Sequence, residues 1–410
     1  MIGISIIYPA DPVGVIPGEF GIDSFIRTLI KSAPREFRHE MFGITSDPVA
    51  RPVGKWTRCT VAGREIDFFP VMAKDNSGRR SQIPLSLKFT LSLLARRVRP
   101  RGDVLEFHRL EPSILFFFDK RPKNFFIHQD MKQISNPQSD ILWRYFPYLF
   151  NQLENLLIPR ASSLFTVSED GCRDYRRRFP LMEDKIRYTS TFMDPEVFYR
   201  PKDIEREEFR ISLRKRFDLP DEARVGVFVG RLDQQKDPVL LVESFAEAAK
   251  DDTGLHLIII GDGVLRQKTR QAIDRLGLGG RCIMAGLLPA VEIADIHRGA
   301  DLFLLASAYE GMPIAILEAM ACGLPVVATA VGEVPKIVRP GVNGELSFDR
   351  SPAAFASAMT KVLRDLPRFA LEASRGAMAS YTPGVVLEPV YQNYRNLGKA
   401  ALKAPASSTS

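Results

Sequence analysis

The sequence predicts a doubly wound α/β protein built from two domains. Three observations carry this. Short apolar runs alternate with amphipathic helical segments over most of the 410 residues, and that alternation builds parallel sheets covered by helices. Several runs are rich in β-branched and aliphatic residues on both faces, as strands buried on both sides must be. The pattern also runs twice, and a chain of this length exceeds what one hydrophobic core sustains.

The first set of strands reads ISIIYP (4–9), DVLEFH (103–108), NFFIH (124–128) and SLFTVS (163–168). An irregular charged stretch follows, PEVFYRPKDIEREEFRISLRKRF (195–217). The second set reads RVGVFVG (224–230), LHLIIIG (255–261), RCIMAG (281–286), DLFLLA (301–306) and PVVAT (325–329). Helical patterns such as PVLLVESFAEAAK and VLRQKTRQAIDRLG lie between them. The expected division is a first domain over 1–194 and a second over 195–385. A last helix, about 386–403, follows a Pro-Gly break and is expected to pack back on the first domain. The tail APASSTS (404–410) is expected to be disordered.

Composition narrows the function classes. Hydrophobic content of 45% and charged content of 26% fit a soluble globular protein. Cys59, Cys172, Cys282 and Cys322 are scattered, which points to a reducing compartment and away from a structural zinc site. No secretion-signal pattern opens the chain, so a cytoplasmic location is expected. No apolar run approaches the roughly 18 residues of a membrane span. The nearest, IPLSLKFTLSLLARRV (83–98), carries Lys88 and reads as an amphipathic helix ending in Arg96, Arg97, Arg99 and Arg101. Net charge is +7, with basic clusters also at Lys74–Arg80 and Arg173–Arg178. Such clusters are most often solvated faces. Peripheral contact with an anionic membrane, at the inner face of the cell membrane, is the next reading. Nucleic acid is not expected as a partner, because no recognised motif accompanies the charge.

The chemistry concentrates in EGMPIAILEAMACGLPVVAT (310–329). Pro313 suits a first helical turn and Gly323 a helix stop, so a helix over Pro313 to Cys322 is expected. Glu310 lies in the loop before its N-terminus, where helix capping is the plain alternative. Glu318 sits among Ile316, Leu317, Ala319, Met320 and Ala321 on a helix apolar nearly all round. A buried carboxylate needs a partner. Ribose hydroxyls would serve, as would a group of the same domain. In GRLDQQKD, Arg231 and Lys236 stand at a strand-to-helix turn, where they could grip a diphosphate or simply face solvent. In IIIGDG, Gly261 and Gly263 follow a strand and allow close backbone approach. Neither G-x-G-x-x-G with its acid nor a Walker loop occurs.

GRLDQQKD, LIIIGDG and EGMPIAILEAMACGLPVVAT, in this order, resemble the donor-binding domain of glycosyltransferase family 4, whose members are retaining enzymes of GT-B fold. The resemblance covers nearly the whole second domain. It implies two Rossmann-like domains facing across a cleft and a nucleotide-diphosphate sugar, UDP- or GDP-linked, as donor. Glu310 would contact the donor hexose and Glu318 the ribose. The loop Gly311-Met312-Pro313-Ile314 would present its amides to sugar or phosphate. Arg231 and Lys236 would neutralise the leaving diphosphate, and backbone near Gly261 and Gly286 would border the nucleotide.

In the first domain the resemblance is looser. After the first strand, Gly21 stands where the family's glycines approach the diphosphate, preceded by Phe20 and followed by Asp23. His128 matches a family histidine near the hexose and reaction centre; His108 matches one that is more often structural. TFMDPEVF carries Thr191 and Phe192 in place of Asn and Gly, and AVGEVPKIV departs again at Glu333 and Lys336. No D-x-D occurs, which agrees with a metal-independent diphosphate site, and no cofactor is implied. The sequence nominates no carboxylate for double displacement, so a front-face route is expected. The acceptor reading is a glycan or glycolipid: a lipid-linked intermediate of a surface polysaccharide or lipopolysaccharide, with a small soluble acceptor as alternative. Two rivals stay open, a nucleotide-sugar epimerase of the same fold and a non-catalytic nucleotide-sugar-binding protein.

Overall fold

The computed structural model describes residues 1–13, 22–74, 84–128 and 146–403. These fall into two compact units, divided between Ser190 and Thr191 and between Val385 and Val386. Residues from Val386 onward join the first unit.

The first unit is built on an eight-stranded sheet. Its strands are β1 (Ile2–Ile7), β2 (Phe37–Thr45), β3 (Thr57–Val61), β4 (Arg64–Ala73), β5 (Val104–Phe107), β6 (Lys123–Ile127), β7 (Ser163–Thr166) and β8 (Ile186–Tyr188). Their order is β3-β4-β2-β1-β5-β6-β7-β8. All neighbours are parallel except the β3–β4 hairpin. β2 and β4 were not expected from the sequence for separable reasons. His39 and Glu40 interrupt the apolar run of β2, yet both are buried. Pro70 breaks the pattern of β4, and the β2–β4 register shifts just beyond it, which is where a strand tolerates proline. Aromatic side chains fill this core. Phe107 and Phe125 stack at 5.3 Å, and each such fully buried ring contributes about 1.5–3 kcal/mol. Helix Glu388–Lys403 packs on β1 and β5, and Tyr391 donates from its hydroxyl to the carbonyl of Leu29 at 2.8 Å.

The second unit carries six parallel strands: β9 (Arg224–Val229), β10 (Leu255–Ile260), β11 (Cys282–Gly286), β12 (Leu302–Leu305), β13 (Val326–Thr329) and β14 (Gly344–Ser347). Their order is β11-β10-β9-β12-β13-β14. Every residue of β10 is buried, His256 included. The strand order reverses between β9 and β12, and in the first unit between β1 and β5. Open α/β sheets bind ligands at the C-terminal edge of such a reversal.

Candidate functional site

The loops after β9 and β12 meet at the reversal of the second unit. The amide of Ala308 donates to the carbonyl of Gln235 at 2.7 Å. Lys236 Nζ lies 2.6 Å from Glu310 Oε1. The Ser307 hydroxyl donates to the same oxygen at 2.5 Å, and Gln235 Nε2 donates to Glu310 Oε2 at 3.3 Å. Glu310 is therefore buried and paired, and among these bonds none is a helix cap. Arg231 is more exposed. It contacts Asp233 at 2.7 Å and Gln235 at 2.9 Å, so the two cations of the turn have different settings.

Helix Ile314–Ala321 begins one residue later than the sequence suggests and ends one earlier. Pro313 is its N-cap, held at ψ 107°, an extended value outside the helical range. Glu318 lies on this helix and is buried, as expected. Its Oε2 finds no hydrogen-bond partner within the protein, and burial pushes its carboxyl pKa up to about 8. A buried polar atom left unpaired costs about 1–3 kcal/mol, so this atom marks a place where an outside hydroxyl would be stabilising.

Two glycines make the site's backbone possible. A Cβ on Gly261 would come within 1.9 Å of the Gly230 carbonyl oxygen, so the space it leaves is filled by the loop after β9. Gly332 has φ +55°, and a Cβ there would lie 1.9 Å from the carbonyl oxygen of Glu310. Gly286 accepts from the amide of Gly261 at 2.8 Å, and a Cβ on it would meet open space. Thr191, which stands where an Asn was expected, donates from its hydroxyl to the carbonyl of Met312 at 3.5 Å. Glu333 N donates to the Gly311 carbonyl at 3.3 Å, and its side chain pairs with Lys336 at 2.7 Å. Both departures from the family pattern thus touch the Gly311-Met312 loop.

In the first unit, His108 and His128 follow β5 and β6. Their Nδ1 and Nε2 atoms lie 2.9 Å apart, and His108 Nε2 is 2.9 Å from Glu106 Oε1. Burial, His108 and Arg109 hold the His128 pKa well below its usual value, so this imidazole is neutral. A cavity of about 650 Å³ opens at the C-terminal ends of β1, β2 and β5, lined by Tyr8, Asp11, Ile44, Leu87, Arg109 and Glu111 among others. Gly21 and Phe20 lie outside the described residues. Among the described residues no group of three or more His, Cys, Asp or Glu side chains is placed to hold a metal ion, and no helix is long and apolar enough to cross a membrane.

Residues 209–376 match the family described as Glycosyl transferases group 1. The match covers most of the second unit and none of the first. Among characterised relatives, it is 37% identical over 164 residues to a D-inositol 3-phosphate glycosyltransferase of Geodermatophilus obscurus, covering 38% of this chain and 36% of that one. The chain spans between 36% and 54% of the length of the first three curated relatives it matches. Among solved structures, sucrose-phosphate synthase from Thermosynechococcus elongatus is 19% identical with a TM-score of 0.78, covering 98% of this chain and 100% of that one. Anabaena HepE in complex with UDP and glucose is 18% identical with a TM-score of 0.71, covering 97% and 100%. These likenesses show the GT-B fold.

Several residues that complete the site were not singled out from sequence. Gln235 and Ser307 flank Lys236 and Glu310 and hold the carboxylate, but a Gln and a Ser in loops carry no distinctive signal. Glu106 had a readable one. It stands two residues before His108 in the run DVLEFH, and extended backbone puts both side chains on one face.

Proposed function

We propose that this protein is a group 1 glycosyl transferase that moves a hexose, with retention of anomeric configuration, from a nucleotide-diphosphate sugar to a lipid-linked acceptor. The observation that carries the reading is that the Lys236–Glu310 pair closes the β9–β12 reversal while the helix following the same loop carries the orphaned carboxyl oxygen of Glu318. The second unit serves as donor domain and the first as acceptor domain. The family resemblance sets Glu318 against the ribose, whose adjacent hydroxyls would satisfy Oε2.

Donor binding then exchanges partners. The diphosphate draws Lys236 and Arg231 from their carboxylate and amide contacts. Glu310, relieved of the ammonium, accepts hydrogen bonds from hexose hydroxyls. The amides of the Gly311–Ile314 loop and the N-terminus of helix Ile314–Ala321 face the departing phosphate. Preorganised donors of this kind stabilise charge developing on the leaving group, and removing one commonly costs about a hundredfold in rate. The diphosphate site is read as metal-independent, with the leaving phosphate helping to deprotonate the acceptor on the same face of the sugar. Gly21, Gly261 and Gly286 border the nucleotide through backbone, and His128 borders the hexose.

The acceptor reading rests on the first unit. Helix Leu85–Ala95 buries Phe89 and Leu93 yet exposes Leu87, Leu91 and Leu94 at i, i+4 and i+7. Arg97 and Arg99 follow it, both exposed. An apolar stripe beside cations suits contact with anionic lipid. The largely apolar cavity behind this helix would then take the acceptor of a surface polysaccharide or lipopolysaccharide pathway, at the inner face of the membrane.

Thermal unfolding with saturating UDP, GDP or ADP, without added metal, tests the donor half. A ligand at about a hundred times its dissociation constant adds roughly 2.7 kcal/mol. One diphosphate is expected to raise Tm; no shift with any of the three would overturn the donor assignment. Release of free nucleoside diphosphate from a nucleotide sugar separates transfer from epimerisation, which releases none.

A further inference from the structure

Behind His128 the first unit holds a chain of buried polar groups that the transfer reading does not use. His128 Nε2 is 2.9 Å from His108 Nδ1. His108 Nε2 is 2.9 Å from Glu106 Oε1. Glu106 Oε2 accepts from the hydroxyl of Tyr394, which helix Glu388–Lys403 brings in from the far end of the chain. Glu106 and Tyr394 are fully buried, and His108 nearly so. Aromatic rings fix the imidazoles in place. Phe126 stacks on His108 at 4.9 Å and 8°, and Phe25 meets His128 edge-on at 5.2 Å.

The bonding rules of these groups leave little freedom. A carboxylate only accepts, and a neutral imidazole has one donor and one acceptor nitrogen. Tyr394 donates to Glu106, since burial and the nearby carboxylate push its pKa well above 10.0. Glu106 Oε1 then requires the hydrogen of His108 on Nε2. That makes His108 Nδ1 an acceptor, which in turn requires the hydrogen of His128 on Nε2. His128 is left with a bare lone pair on Nδ1. We infer that Tyr394, Glu106 and His108 are positioning residues that set the tautomer of His128 and so make it an acceptor of a hydrogen bond from a sugar hydroxyl. The inference rests on the proposed placement of the donor hexose against His128.

The same chain contains its own reversal. With hydrogen on both ring nitrogens of His108 its sense turns round. His108 Nδ1–H then donates to His128 Nε2, and His128 must carry its hydrogen on Nδ1. Its free nitrogen changes from acceptor to donor, and the hydroxyl contact is lost. The charged and titratable groups around the pair include Tyr8 after β1, whose ring meets that of His108 at 5.8 Å, Arg109 beyond β5, which opposes protonation of His128, His39 on β2, lowered to about 4 chiefly by its own burial, and Tyr391 and Tyr394 on the last helix.

Two measurements test this on the full chain. The first is 15N NMR of histidine-labelled protein at pH 8, which reads tautomers without any substrate. His128 is expected with hydrogen on Nε2. Glu106→Gln, whose amide offers a donor as well as an acceptor, is expected to give mixed or inverted tautomers, and Tyr394→Phe a smaller shift the same way. Hydrogen on Nδ1 in the wild type, or an unchanged tautomer in Glu106→Gln, overturns the inference. The second is the KM for UDP-glucose at pH 8. Loss of one hydroxyl contact in Glu106→Gln should raise it about tenfold to a hundredfold with a smaller change in kcat, and an unchanged KM overturns the inference. A melting shift with UDP that Glu106→Gln leaves unchanged shows that the fold and diphosphate site persist. The expected tautomers in a protein that neither binds UDP nor turns over UDP-glucose would uphold the relay and sink the transfer reading instead.

Discussion

Lys236 Nζ lies 2.6 Å from Glu310 Oε1, with the two side chains 16% and 4% exposed. The contact joins the turn after β9 to the loop after β12, so one ion pair closes the sheet reversal in the second unit. Its removal has an asymmetric cost. Lys236→Met leaves a buried carboxylate without its counter-ion and is expected to lose about 3 kcal/mol of stability. The double variant Lys236→Met with Glu310→Gln leaves no unpaired charge and should lose markedly less. Urea unfolding of wild type, both single variants and the double variant completes the cycle. Losses that simply add would show that the pair is not coupled.

Glu318 yields a prediction whose sign depends on pH. Burial raises its carboxyl pKa to about 8, against about 4.3 in an unfolded chain. Between these values the folded protein holds a proton that the unfolded chain has released, so stability falls as pH rises through the window. Glu318→Gln removes that dependence. Relative to wild type, the unliganded variant is expected to gain on the order of 4 kcal/mol between pH 4 and pH 8. The same variant should bind UDP more weakly, since a neutral amide holds ribose hydroxyls less firmly than a carboxylate does. Thermal melts across pH, with and without UDP, measure both effects. A gain in stability without loss of UDP affinity would remove Glu318 from the nucleotide site.

How much of this is legible in the sequence depends on whether neighbours in space are neighbours in the chain. The EGMP loop, its apolar helix and the burial of Glu318 follow from local pattern, because an acid among Ile316, Leu317, Ala319 and Met320 has nowhere dry to avoid. The Lys236–Glu310 pair does not, because it joins residues that only the strand order of the sheet brings together. Tyr394 is the extreme case: nothing local to YQNYRNLGK reveals that its hydroxyl meets Glu106. β2 and β4 escape detection because buried polar residues and a proline at a register shift imitate loop composition. Gly332 also shows no signal, since the carbonyl it accommodates belongs to a different loop.

That carbonyl makes Gly332 a sensitive position. Its φ of +55° disfavours any side chain, and a Cβ would lie 1.9 Å from Glu310 O. Gly332→Ala must therefore displace the loop that carries Glu310. A loss of about 1–3 kcal/mol is expected from the backbone strain, together with a smaller melting shift on adding UDP. Ala substitution at Gly384, where a Cβ would meet nothing within 4 Å, is the control. Equal effects at both positions would show that the contact with Glu310 does not matter.

Substitutions in the stripe on helix Leu85–Ala95 test the proposed lipid contact apart from folding. Leu87, Leu91 and Leu94 are 47%, 53% and 58% exposed, so their replacement should leave stability nearly unchanged, within about 0.5 kcal/mol each. Sedimentation with vesicles containing phosphatidylglycerol is expected to pull down the wild type. The triple replacement by Ser should weaken that binding at all salt concentrations, because it removes buried apolar area. Replacing Arg97 and Arg99 by Gln should weaken it mainly at low salt, because their attraction to the headgroups is screened within about 10 Å at 0.1 M. Two different salt profiles would show that insertion and attraction both contribute. Wild type that stays in the supernatant with anionic vesicles at low salt would remove the membrane from the acceptor reading and leave a soluble acceptor in its place.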